Sequence, residues 1–179
     1  MLNKDKTALV LIDVQGKLAR LVDRSDAMIA GCQKLIQGAQ ALGLPILWLE
    51  QNPEKLGGTV EELTGLLSGE EPIIKYAFSA SGENAFNQRL SALDVESVLV
   101  CGIETHICVC QSSLDLKAQG YDVHVVSDAV ASRTETNKQL AFERLRQNGI
   151  TISGVEMCLY EMVEDCRAPE FKPILNLIK

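Results

Sequence analysis

Three side chains in this sequence could share one reaction: the thiol of Cys108, the carboxyl of Asp13 and the ammonium of Lys75. Cys108 falls in the first turn of a helix that follows the apolar run 98–103. Unpaired backbone N–H groups and the positive end of the helix dipole favour a thiolate there. A thiol so placed is a candidate nucleophile for a carbonyl carbon. Asp13 ends the apolar run 8–12 and Lys75 ends the short run 72–75, so an acid and a base each take the tip of a strand. Each residue alone has a plainer reading. Cys108 could be one more small buried residue among six cysteines, Asp13 a turn cap, and Lys75 a solvated strand end.

The elements that must position these groups alternate along the chain. Runs at 8–12, 46–49, 72–75, 98–103, 121–126 and 150–153 are short and apolar, rich in Val, Ile and Leu, as strands buried on both faces should be. Between them, apolar residues recur at helical spacing. Ser25 is expected to cap a helix in which Met28, Cys32, Leu35, Ile36, Ala39 and Leu42 keep the period, and Gly43 stops it. Thr59 and Glu62 read as a capping box. Thr105 is expected to cap the helix carrying Cys108, with Gly120 as its stop, and Thr134 to start another that ends at Gly149. Within 105–119, Ile107, Cys110, Leu114 and Ala118 read as the buried stripe, which leaves Cys108 in line with Ser112 and Asp115.

Strands alternating with helices at this spacing predict an α/β fold: a three-layer, doubly wound, Rossmann-like six-stranded parallel sheet in the order 3-2-1-4-5-6. The switch point then lies between the strands ending at Asp13 and Gly102. Ligands in such sheets bind outside the carboxyl ends of the strands at that point, so Asp13 and Cys108 should meet in one crevice, with Lys75 reaching inward on its long side chain. Gln15, Gln51 and Phe78 follow strand ends on the same rim and are candidate pocket residues, whereas Trp48 reads as core.

Composition bounds the partners. A chain of 179 residues is read as a single domain over 1–179. With 17 Lys and Arg against 24 Asp and Glu, the formal charge of −7 argues against nucleic acid or an anionic membrane as the main partner. The apolar run near the N-terminus is too short for a signal or spanning segment, so a cytoplasmic location is expected. The six cysteines form no C-x-x-C pair, which predicts reduced thiols, and two histidines cannot build a His-rich metal site.

LIDVQ at 11–15, the Lys75 that closes PIIK, and GIETHICV at 102–109 followed by GYDVHVVSDAVASR resemble the isochorismatase-like cysteine hydrolases over nearly the whole chain. The segment EQNPEKLGGTVEEL at 50–63 is similar to the subgroup of small isochorismatase-domain proteins. The resemblance implies a catalytic triad of Asp13, Lys75 and Cys108. It also implies a cis peptide between Ile103 and Glu104, an oxyanion hole from the backbone N–H groups of Glu104 and Cys108, and a homo-oligomer. The nicotinamidase branch carries an Asp-x-His zinc site after the second strand. Here that region reads Trp48-Leu49-Glu50-Gln51-Asn52 without histidine, so no metal and no cofactor are expected. Isochorismatases cleave a vinyl ether and need no thiol, so Cys108 leans toward small-molecule amide substrates. Glu104 pointing inward would disfavour anions; pointing outward it would serve a subunit contact.

Three functions remain to be separated. The first is a metal-independent cysteine hydrolase of small amide-like C–N bonds, working through a thioester and an activated thiol with a lowered pKa. The second is a non-catalytic scaffold that binds a ligand or partner. The third is a redox-sensing thiol protein, for which Cys110 would have to resolve an oxidised Cys108.

Overall fold

The computed structural model of the chain describes residues 1–69 and 71–179. Six strands, β1 (Thr7–Ile12), β2 (Ile46–Gln51), β3 (Ile73–Lys75), β4 (Ser97–Ile103), β5 (Asp122–Ala131) and β6 (Thr151–Ser153), form one parallel sheet in the order β3-β2-β1-β4-β5-β6. This is the predicted topology, and its switch point lies between the adjacent strands β1 and β4. Successive residues of β1 feed opposite layers. Leu9 and Leu11 pack with α2 (Ser25–Leu42), α8 (Val155–Val163) and α9 (Phe171–Ile178). Ala8, Val10 and Ile12 pack with α5 (Asn84–Ser91), α6 (Cys110–Ala118) and α7 (Glu135–Gln147). Both central strands are buried throughout because both faces are covered.

α2 buries Met28, Ile29, Cys32, Leu35, Ile36, Ala39 and Leu42 at helical spacing. Burying each of the larger ones stabilises by roughly 1.5–3 kcal/mol against leaving it exposed. Gly43 ends the helix with φ 73°, and the Leu44 N–H returns to the Ala39 carbonyl at 2.9 Å, a Schellman closure that turns the chain straight into β2. Gly120 and Gly149 act alike, with Tyr121 N–H on Leu116 O and Ile150 N–H on Leu145 O.

Several local expectations gave way to tertiary contacts. Two short helices not expected from the sequence, α1 (Gly16–Leu21) and α3 (Pro53–Leu56), follow β1 and β2, and α4 is the single turn Glu61–Thr64. Arg24, not Ser25, holds the N-cap of α2, because the Ser25 hydroxyl donates to Ala19 O at 2.7 Å and ties α1 to α2. The Thr59 hydroxyl is taken by Glu50 and Trp48, so α4 has no side-chain cap and Glu62 pairs with Arg20 instead. Trp48 is buried, as expected. β5 runs to Ala131, five residues past its predicted end, by way of a register shift opposite Val100 and Gly102. Thr134 does cap α7, accepting from Asn137 N–H.

The largest departure precedes α6. Residues Thr105–Val109 form a π-turn, in which the Val109 N–H reaches back to Glu104 O at 3.3 Å. Glu104 is its N-cap, and Thr105 is buried with its hydroxyl unpartnered. A π-turn spends one extra residue, so every later side chain is rotated relative to the α-helical expectation. The buried positions are accordingly Cys110, Ser112, Ser113 and Leu116, while Ala118 is exposed; of the predicted stripe only Cys110 is fully inside.

Candidate active site

β1 delivers Asp13 to the rim in a left-handed conformation, φ 53°, with its N–H on Leu49 O. β4 delivers the turn that carries Cys108, and the close approach of the two strands there depends on Gly102. Its φ is 112°, and a Cβ would lie 1.9 Å from the Ile12 carbonyl oxygen. The peptide between Ile103 and Glu104 is cis. β3 delivers Lys75, paired in register with Gln51 of β2.

Lys75 is fully buried and its Nζ lies 2.7 Å from Asp13 Oδ2. The same ammonium donates to Gln51 Oε1 at 2.6 Å, Phe78 O at 3.1 Å and Ala77 O at 3.2 Å. Its position is therefore overdetermined. Asp13 Oδ1 is buried and receives no well-formed hydrogen bond. Burial pushes the Asp13 carboxyl above its ordinary value, and Lys75 and then Cys108 pull it only partway back.

Asp13 and Cys108 line one cavity of about 100 Å³, together with Gln51, Phe78 and Glu104. Its remaining wall is apolar: Leu18 of α1, Leu56 of α3, Ile103 and Ile107. Cys108 is buried but reachable from this space. Its thiol is pushed up to about 12 by burial and by the Asp13 carboxylate, which together outweigh Lys75. The expected low-pKa thiolate is thus reversed: a helix start cannot offset a neighbouring carboxylate and a dry surround.

The other predicted residues divide. Gln51 lines the cavity and holds Lys75 through Oε1, with its amide donating to Tyr76 O at 2.8 Å. Phe78 stands at the mouth, 57% exposed. Gln15 is not in the wall. Its side chain is wholly buried, donating to Gln51 O at 3.1 Å and Gly57 O at 2.6 Å and accepting from Gln51 N–H at 2.6 Å. It pins the segment bearing Leu56, which is also held by Gly16 N–H on Gly58 O and Val60 N–H on Val14 O. Glu104 turns its Oε1 to the backbone N–H and Nε of Arg133, both at 3.1 Å, and His106 Nδ1 lies 2.9 Å from Ser132 Oγ. Ser112 and Asp115 of α6 fasten the loop after β3 by accepting from Ala80 N–H and Ser79 Oγ.

Leu18, Leu56 and Ile107 were not foreseen as wall residues. Asn52-Pro53 before Leu56 and Gly57 after it is the pattern of a short helix with Pro at its first position, and Leu18 with Leu21 and Val22 repeats at helical spacing. Glu50 Oε1 is spent on Thr59, accepting from its N–H at 2.7 Å and its hydroxyl at 2.8 Å. Among the described residues, no group of three His, Cys, Asp or Glu is placed to hold a metal ion.

Known proteins resemble this chain in sequence and fold. The isochorismatase domain model matches residues 7–157. A secreted isochorismatase effector of Phytophthora sojae is 38% identical over 177 residues, 97% of this chain and 84% of that protein. The solved structure of MAR1 ribonuclease from Caenorhabditis elegans superposes with a TM-score of 0.93 at 34% identity, over 99% of this chain and 91% of that one. The YcaC protein of Escherichia coli, an octameric hydrolase of unknown specificity, shares the fold at a TM-score of 0.93 and 24% identity, over 99% and 88% of the two chains. This chain belongs to the isochorismatase domain family.

Proposed function

We propose that residues 1–179 act as one metal-independent cysteine hydrolase unit that cleaves a small amide-like C–N bond. The reading is carried by the buried 2.7 Å pair of Lys75 and Asp13, in which Asp13 shares one cavity wall with Cys108. Because the thiol rests protonated, attack and proton transfer are coupled: Cys108 Sγ bonds to the carbonyl carbon as its proton passes to Asp13. Lys75 steadies the carboxylate before transfer and keeps it pointed at sulfur. The backbone N–H groups of Glu104 and Cys108 serve the tetrahedral oxygen, a kind of contact worth about 3 kcal/mol per donor in the transition state. The C–N bond then breaks, and Asp13 returns its proton to the leaving amine. Water, deprotonated by Asp13, attacks the thioester carbon. The C–S bond breaks, sulfur regains the proton, and a carboxylic acid leaves.

The raised thiol pKa counts against the redox-sensing reading, since oxidation follows thiolate character. An apolar cavity of about 100 Å³ offers no basic groove to a nucleic acid, so the ribonuclease activity named for the nematode protein is not carried over. Reduced, unpaired cysteines support a cytoplasmic location, which cell fractionation tests against the secretion described for the Phytophthora relative. Among the described residues no helix is long and apolar enough to cross a membrane. The octameric state of the Escherichia coli protein of the same fold supports a homo-oligomer, which light scattering would detect. The function itself is tested by ammonia release from a panel of primary amides, together with trapping of a mass-shifted Cys108 peptide. Activity that survives in Cys108→Ala would sink the mechanism.

A further inference from the structure

Resting on the hydrolase reading, the cavity also limits what can be hydrolysed. Its apolar wall is Leu18, Leu56, Phe78, Ile103 and Ile107, and it offers no free positive charge. Lys75, the cation paired with Asp13, has three protons facing four acceptors: Asp13 Oδ2, Gln51 Oε1, Ala77 O and Phe78 O. It is fully buried and forms no part of the wall. Two acidic residues line it, Asp13 and Glu104, and Glu104 turns its carboxylate to Arg133. A ligand carboxylate would meet Asp13 and find no cation in the wall to pair with. A ligand cation would find the charge of Asp13 already answered by Lys75 and that of Glu104 by Arg133. The volume, about 100 Å³, is two-thirds of the ~150 Å³ apolar cavity that takes a benzene ring.

We propose that the site selects neutral primary amides with a compact apolar acyl group, about four to six non-hydrogen atoms in all, and rejects acidic amides of similar size. Isobutyramide and butyramide fit; malonamate carries a charge the wall repels, and hexanamide outgrows the space.

Two measurements on the unmodified protein test this. The first compares turnover of butyramide, malonamate and hexanamide. Butyramide should exceed malonamate by about 100-fold in kcat/KM, the size of a like-charge juxtaposition in a dry site. The second needs no turnover: Cys108 is alkylated with iodoacetamide and, separately, iodoacetate, and the ratio of rates is compared with that at exposed Cys166 in the same sample. The neutral reagent should be favoured at Cys108 by about tenfold or more over its advantage at Cys166. Equal ratios at the two thiols, or malonamate or hexanamide turned over as well as butyramide, overturn the selectivity. If no amide is hydrolysed while the alkylation ratio stays high, the hydrolase reading falls and the selectivity of the cavity stands.

Discussion

Lys75 Nζ meets Asp13 Oδ2 at 2.7 Å although β3 and β1 are separated in the sheet by β2, a gap of about 10 Å between their backbones. A lysine stem is long enough to cross under Gln51, and its own loop closes over it through Ala77 O and Phe78 O. Breaking a buried pair from one side leaves an uncompensated charge. Lys75→Met should therefore lose activity and cost about 3 kcal/mol of stability in urea at neutral pH. Asp13→Asn combined with Lys75→Met should be equally inactive but recover part of that loss, because no lone charge remains inside. Strictly additive losses in the double variant would show that the two groups do not act as a pair.

The protonation states of Asp13 and Cys108 set a pH profile. The folded Asp13 carboxyl binds its proton more tightly than an ordinary carboxylate, for burial outweighs Lys75. It is therefore still protonated at pH values where an ordinary Asp, near ~3.9, is already ionised, and a reaction needing the carboxylate fails as pH falls through that raised value. The thiol, pushed up to about 12, adds no limb near the ordinary thiol range. The log of kcat/KM should rise through one acid limb and stay level from pH 7 to pH 9. Iodoacetamide at pH 8 should label Cys108 more slowly than exposed Cys166. Faster labelling of Cys108 would restore the thiolate picture.

Alternation of strands and helices was enough to read the sheet order, because β1 and β4 are buried on both faces and their composition shows it. The gathering of Asp13, Lys75 and Cys108 at the rim follows from that order together with the motif around 102–109. What sequence could not carry was decided by contacts distant along the chain. Thr59 looked like a helix cap until Trp48 and Glu50 claimed its hydroxyl. Gln15 looked like a rim residue, yet its amide is spent on the loop thirty-six and more positions away. The helix period failed after Glu104 because a π-turn leaves no signature in hydrophobic spacing until its phase shift is seen. The thiol's proton affinity depended first on its burial and then on the Asp13 carboxylate at the end of another strand.

Gln15 gives a prediction of its own. Its amide donates to two backbone carbonyls and accepts from Gln51 N–H, with no exposure to water. Gln15→Ala leaves these backbone groups unpaired and should cost about 1–3 kcal/mol in chemical denaturation. Because Gln51 holds Lys75 and Leu56 forms wall, KM for a preferred amide should rise and kcat should fall. Gln15→Glu should do no better, since a carboxylate has no N–H to give Gly57 O or Gln51 O. A Gln15→Ala variant of unchanged stability would mean the clamp contributes nothing.

Gly102 controls how near β4 comes to β1, and so how near the Cys108 turn comes to Asp13. Any Cβ would sit 1.9 Å from Ile12 O and 2.7 Å from its carbonyl carbon, backbone atoms of a central strand that have no room to retreat. The φ of 112° adds strain for any L side chain. Gly102→Ala must therefore either part β1 from β4 at the rim or fail to fold. The expected outcome is a loss of more than about 2 kcal/mol in stability, with activity lost even in the fraction that folds. Amide hydrogen exchange should then quicken at the ends of β1 and β4 while β5 and β6 stay protected. Exchange that quickens evenly across the sheet would place the damage in global stability and not in the meeting of the two strands.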